Sequence, residues 1–159
     1  SECGFVTVAC GAFIGEHSFS NGETPIAAGR PDERDMRSAA DFGARVAEKI
    51  RAFHAAGELS PPAIPGNRPY KERRAMGGTS PRVILERCTS CGVCAAVCPS
   101  GAITIRGGVA SDPGTCILCH ACVKHCPEQA MVFDAAPVRT IAEWLVSTCT
   151  ERKEPEWYL

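Results

Sequence analysis

Three observations predict an α+β fold for this 159-residue chain. A cysteine-rich run, "CTSCGVCAAVCPSGAITI" from Cys88 to Ile105, recurs 28 positions later as "CILCHACVKHCPEQAMVF" from Cys116 to Phe133. Each copy ends in a short apolar stretch suited to a strand. Upstream, the apolar, β-branched "GFVTVACGAFIG" precedes an amphipathic helical pattern, the sign of a strand–helix unit. Between these parts lies a connector with five prolines and four glycines. The predicted divisions are 1–56 for the strand–helix piece, 57–81 for the linker, 82–134 for the duplicated module, and 135–159 for a C-terminal helix and tail.

The elements follow in order. The first strand reads as buried and parallel, because its apolar residues run without alternation. Asp32 is a natural N-cap for the next helix, whose stripe is Met36, Ala39, Phe42, Val46, Ile50 and Phe53. One strand and one helix cannot close a core. The piece therefore reads as the last unit of a doubly wound domain, with earlier strands upstream and the helix stripe partly exposed. Strands in "RVILE" and "AMVFD" are expected to pair, and "AITIRGGVAS" reads as a hairpin turning at Gly107-Gly108. In the last helix Ile141, Trp144, Leu145 and Cys149 are expected to face inward.

Eight of the eleven cysteines fall in the two runs, leaving Cys3, Cys10 and Cys149 as small packing residues. Cysteines three residues apart converge on a shared centre, whereas disulfide frameworks join distant elements. The spacing C-x2-C-x2-C-x3-C-P is that of bacterial-type ferredoxins, which carry 4Fe–4S clusters.

Three cysteines of one run curl round one face of a cubane, and the fourth begins a short helix leading away, towards the other copy's cluster. The expected ligand sets are Cys88, Cys91, Cys94 and Cys126 for one cluster, and Cys116, Cys119, Cys122 and Cys98 for the other. Gly92, Ala95 and Ala121 let backbone amides approach the sulfurs, while Pro99 and Pro127 turn the chain onward. Zinc is the competing reading, because C-x2-C pairs are common zinc ligands. It explains neither the third cysteine at the same spacing nor the Cys-Pro.

The charge balance, 17 basic against 18 acidic residues, gives no global field towards nucleic acid or an anionic membrane. "KERR" at 71–74 reads as a solvated linker segment. No apolar run approaches bilayer length, and a cytoplasmic protein is expected. No nucleophile–base pair, phosphate-cradling glycine motif or open metal position is visible, so the chain reads as a carrier without a catalytic site. His120 and His125, beside cluster ligands, are expected at the surface, with modulation of the cluster potential as the other reading.

Along nearly its whole length the chain resembles the C-terminal part of EFR-type flavodoxin–ferredoxin fusion proteins. The likeness is carried by "GAFIGEHSFS", "AAGRPDERD" with its helix, "PGNRPYKER" and the doubled cysteine run. It implies an upstream flavodoxin-like domain binding FMN in the full-length protein, exchanging electrons with the two clusters. The first strand and its phosphate loop lie outside this sequence. "EHSFSNG" would then lie on the ligand side of such a sheet, where His17 or Phe19 would approach the flavin or simply sit in a surface loop. The module is charge-balanced, with Arg82, Arg87, Arg106 and Lys124 against Glu86, Asp112, Glu128 and Asp134. That suits a fixed pairing with a tethered flavin domain over a roaming carrier, with a separate redox protein as the other partner. The alternative function is the electron-feeding part of a flavin-dependent oxidoreductase, and a zinc-stabilised interaction module stands third.

Overall fold

The computed structural model describes residues 4–72 and 78–159. Cys3 and the arginines of "KERR" lie outside the described residues. The elements run β1 (Cys10–Ala12), α1 (Glu33–Ala56), β2 (Arg82–Val83), α2 (Val93–Ala96), β3 (Ile103–Ile105), β4 (Val109–Ser111), α3 (Ala121–Lys124), β5 (Met131–Val132), α4 (Ala136–Thr148) and β6 (Glu156–Tyr158). They form two compact units that interleave along the chain. One comprises the described residues up to Glu16, Ala27–Glu72 and Cys149–Leu159. The other comprises His17–Ile26 and the described residues from Gly78 to Thr148.

The first unit is organised by α1. Asp32 caps it, accepting from the backbone N–H groups of Arg34 and Asp35 at 2.9 and 3.1 Å, while the Asp35 carboxylate reaches back to the Asp32 N–H at 2.9 Å. This reciprocal box satisfies donors that every helix start leaves open. Gly57, at φ +74°, closes the other end by donating to the Phe53 carbonyl at 2.8 Å. Asp35 is buried at 1% exposure and paired with Arg30 and, at 3.0 Å, with Arg152. Arg152 also bonds Asp32 at 2.7 Å, which ties the end of the chain to the helix start.

β1 differs from the sequence expectation. It pairs antiparallel with β6, Cys10 opposite Tyr158 and Ala12 opposite Glu156, and it is mostly exposed rather than buried. The reason is that Glu156–Tyr158, read as tail, supplies the neighbour, and its Trp157 packs on Phe42 and under Arg45. Gly11 lies close under these rings: a Cβ there would stand 2.8 Å from the Phe13 ring and 3.3 Å from Phe42, so the rings would have to shift. The helix stripe is partly open, with Met36 58% and Ile50 38% exposed.

The second unit repeats itself. β2 pairs antiparallel with β5 (Arg82 with Val132, Val83 with Met131), and β3 with β4 (Thr104 with Ala110, Ile103 with Ser111). A shift of 28 residues carries each of those pairs onto the other ladder's. The flanking bonds obey the same exchange: the Ile84 N–H donates to Ala130 C=O at 2.7 Å, and Asp112 N–H to Ala102 C=O at 2.8 Å. The hairpin connection is Arg106-Gly107-Gly108 rather than two residues, because Ile105 pairs with Val109 and the Arg106 N–H closes on the Gly108 carbonyl.

Two apolar clusters stabilise this unit. Ile103 and Met131 pack with Cys94 and Cys122 at its centre. Phe19 and Ile26 pack with Val138 and Ala142 of α4 in the second. Ile141 and Leu145 pack against that cluster, but Trp144 is 60% exposed and Cys149 is exposed beyond the helix end. The stripe is therefore Val138, Ile141, Ala142 and Leu145, at the spacing of one helical face.

Candidate metal centres

Each cysteine run forms a loop, a one-turn helix and a bend. The helices Val93–Ala96 and Ala121–Lys124 each carry the third cysteine of their run, Cys94 and Cys122, and end before the fourth. The fourth cysteine thus follows a helix instead of beginning one. It is turned away by the Cys-Pro step, and its sulfur accepts a backbone bond from four residues on. Ala102 N–H meets Cys98 Sγ at 3.2 Å, and Ala130 N–H meets Cys126 Sγ at 3.2 Å.

The loops hold left-handed backbone at matching positions. Ser90 (φ 55°) corresponds to Leu118 (59°), Gly92 (84°) to His120 (60°), and Gly101 (66°) to Gln129 (49°). Positive φ is costly for residues other than glycine, so its repetition at Leu118, His120 and Gln129 marks a geometry the fold imposes. Left-handed turns of this kind form concavities lined by N–H groups, the usual seat of an anionic cluster.

Two cavities result. The first is lined by Cys88, Cys91, Cys94 and Cys126, with Gly92, Val109, Glu128 and Met131 among the other walls. The second is lined by Cys98, Cys116, Cys119 and Cys122, with Pro81, Ser100, Ile103 and His120. The 28-residue exchange maps one lining onto the other: Val109 onto Pro81, Gly92 onto His120, Glu128 onto Ser100 and Met131 onto Ile103.

Among the described residues no three His, Cys, Asp or Glu side chains are grouped to hold a single metal ion. Four thiolates on one zinc, with bonds near 2.3 Å, would lie about 3.8 Å apart. Here they surround a space. Thiolates on the corners of a cubane stand farther apart, so the donor set and its N–H concavities fit a 4Fe–4S group.

Burial and neighbouring sulfurs set the thiol chemistry. Burial, with Cys126 and Cys88 nearby, pushes the Cys94 thiol up. Burial, with Cys119 and Cys116 nearby, pushes Cys122 up to about 11. Both are protonated at neutral pH without a metal, so binding releases protons. At Cys98 burial acts upward too, but hydrogen bonds from the Ser100 hydroxyl and the Ala102 N–H outweigh it and bring the thiol below its ordinary value.

His120, expected at the surface, is buried at 8% exposure. Its ring lies between Phe19 and Phe133, centroids 4.5 and 4.7 Å away, and its Nε2 has no hydrogen-bond partner. Burial, then Lys124 and His17, lowers its pKa to about 4, so the ring is neutral at pH 7. Phe19 likewise differs from the surface-loop expectation: it is buried in the α4 cluster, and half-buried His17 stacks edge-on against it at 4.8 Å. The signal lay in the repeat itself, which aligns His120 with a glycine and so marks a left-handed position. His125 is exposed, its Nδ1 2.9 Å from the Ala121 carbonyl oxygen.

Residues 81–104 and 109–132 each match the family described as 4Fe-4S binding domain. This part of the chain is a ferredoxin-like 4Fe–4S domain. A stretch of 57 residues is 41% identical to an uncharacterized ferredoxin of Methanocaldococcus jannaschii, covering 33% of this chain and 38% of the relative. The chain thus spans well under half the length of that relative. No solved structure matches. Among the described residues, no helix is long and apolar enough to cross a membrane.

Proposed function

We propose that the chain transfers single electrons through two 4Fe–4S clusters, one held by Cys88, Cys91, Cys94 and Cys126, the other by Cys116, Cys119, Cys122 and Cys98. The observation that carries this reading is the lining of the two cavities: each gathers three cysteines of one run and the fourth of the other. A bound cluster supplies reversible one-electron chemistry with the charge shared over its irons. The protein's part is to hold the geometry fixed. The Ala102 and Ala130 N–H groups bond the sulfurs, Ile103 and Met131 keep water from the centre, and the crossed ligands tie the halves together. Anaerobic reconstitution followed by metal and sulfide analysis tests it. About eight irons and as many sulfides per chain are expected; stoichiometric zinc with no sulfide would overturn it in favour of the interaction module.

We further infer, from the sequence resemblance, that the first unit continues an FMN-binding flavodoxin-like domain in a longer, cytoplasmic protein, and that this tethered flavin is the electron partner. The partly exposed stripe of α1 supports the inference, whereas the antiparallel β1–β6 ladder is foreign to a parallel sheet. Flavin extraction from the longer gene product decides it. The balanced charge of the cluster module supports a fixed pairing, for which reduction rates should vary little with salt. Steep salt dependence would point to a separate redox partner.

A further inference from the structure

The two cavities match in their cysteines and in the alanine four places after the fourth cysteine, but several other walls differ, among them the residue two places after the fourth cysteine. That position is Ser100 beside Cys98 and Glu128 beside Cys126, and both line their cavities. The Ser100 hydroxyl lies 3.7 Å from Cys98 Sγ, within hydrogen-bonding reach of a sulfur, in addition to the Ala102 N–H at 3.2 Å. Cys126 accepts the matching bond from Ala130 N–H, but its neighbour is a carboxylate, which cannot donate when ionised. The other polar walls do not cancel the difference. Among the described residues neither Thr89 nor Ser90 bonds a sulfur, Ser111 is engaged by Ser80 at 3.0 Å, and the His120 ring is stacked between Phe19 and Phe133 with its Nε2 bonded to no sulfur.

We propose that Ser100 and Glu128 make the two centres unequal, placing the centre bound by Cys98 at the higher reduction potential and the centre bound by Cys126 at the lower. This rests on the two-cluster reading. Reduction adds a negative charge, so a hydroxyl donating to a ligand sulfur stabilises the reduced form, and an ionised carboxylate beside the cavity opposes it. Glu128 is exposed and therefore screened, which leaves Ser100 as the stronger influence. With both clusters bound, an electron held at the Cys126 side would pass to the Cys98 side, the first centre being oxidised and the second reduced by that one electron. No bond forms or breaks and no proton moves. The duplicated module thus acquires a direction from one pair of residues.

The test is an anaerobic potentiometric titration of the reconstituted full chain, followed by electron paramagnetic resonance, with iron and sulfide measured on the same samples. Two resolved couples are expected. Ser100→Ala should lower the upper couple by up to tenfold in electron occupancy, about 59 mV for one electron, and leave the lower couple within about twofold. Ser100→Thr, which keeps the hydroxyl, should restore it. Glu128→Gln should raise the lower couple alone. The exchange Ser100→Glu with Glu128→Ser should reverse the responses. Coincident wild-type couples, or a Ser100→Ala shift confined to the lower couple or shared equally by both, would overturn the proposal. A preparation without the iron and sulfide complement would instead overturn the two-cluster reading, and the analysis on the same sample tells the two failures apart.

Discussion

Truncating Phe19 to alanine removes the side chain that joins the 17–26 segment to α4. The ring is buried at 8% exposure among Ile26, Val138 and Ala142, and it faces His120 at a centroid distance of 4.5 Å. Burying a phenylalanine in such a cluster and leaving the cavity behind on truncation costs about 3–5 kcal/mol. At 1.36 kcal/mol per factor of ten, that is a fall of about 160-fold to about 5,000-fold in the closed-to-open ratio. Native-state hydrogen exchange of the anaerobic holoprotein reads this directly, without needing reversible global unfolding. The slowest amides of Val138–Leu145 should exchange faster by that factor in Phe19→Ala, with the amides around Cys94 affected less, because they belong to the other cluster. Exchange in α4 within about threefold of the parent protein would refute the reasoning and detach the segment from this core.

The acidic pair at the start of α1 gives a pH prediction. The Arg30 guanidinium holds the Asp35 carboxyl well below its ordinary value, and Arg152 does the same for Asp32. The folded state thus binds fewer protons than the unfolded one near pH 4, so this stabilisation is present above that pH and lost as pH falls. Trp157 fluorescence in a Trp144→Phe background should show the first unit loosening below about pH 4, and Asp35→Asn should lower its stability at pH 7 while flattening that acid dependence. An unchanged acid profile in the variant would count against the network. The left-handed positions give another pair. Gly101→Ala should cost about 1–2 kcal/mol, whereas Gln129→Gly, exposed at the matching place, should be neutral or stabilising. Urea midpoints of cluster bleaching compare the two, and equal losses would contradict the imposed geometry. Val138→Ala should destabilise by about 1–2 kcal/mol and Trp144→Ala by less than about 0.5 kcal/mol. The reverse order would restore the inward face first expected for Trp144.

The duplicated module was legible because its chemistry constrains the chain at short range. Cysteine spacing, the Cys-Pro steps and the 28-residue repeat are local, and they locate the strands that pair across the approximate twofold. The Asp32 cap was equally readable, since it acts within one turn. What escaped was long-range. Nothing near Cys10 indicates that its partner is Tyr158, nor does "EHSFSNG" by itself reveal that Phe19 stacks on a histidine a hundred residues away. Trp144, expected inward beside Leu145, is 60% exposed. The face is set instead by Val138 and Ala142, small enough to let α4 approach Phe19 and Ile26.

Diffraction at the iron edge from anaerobically grown crystals tests the crossed-ligand account most directly. The account predicts two four-iron groups, one bonded to Cys88, Cys91, Cys94 and Cys126, the other to Cys116, Cys119, Cys122 and Cys98. Iron bonded to Cys98 together with Cys88, Cys91 and Cys94, or isolated single-metal peaks in the two cavities, would contradict it.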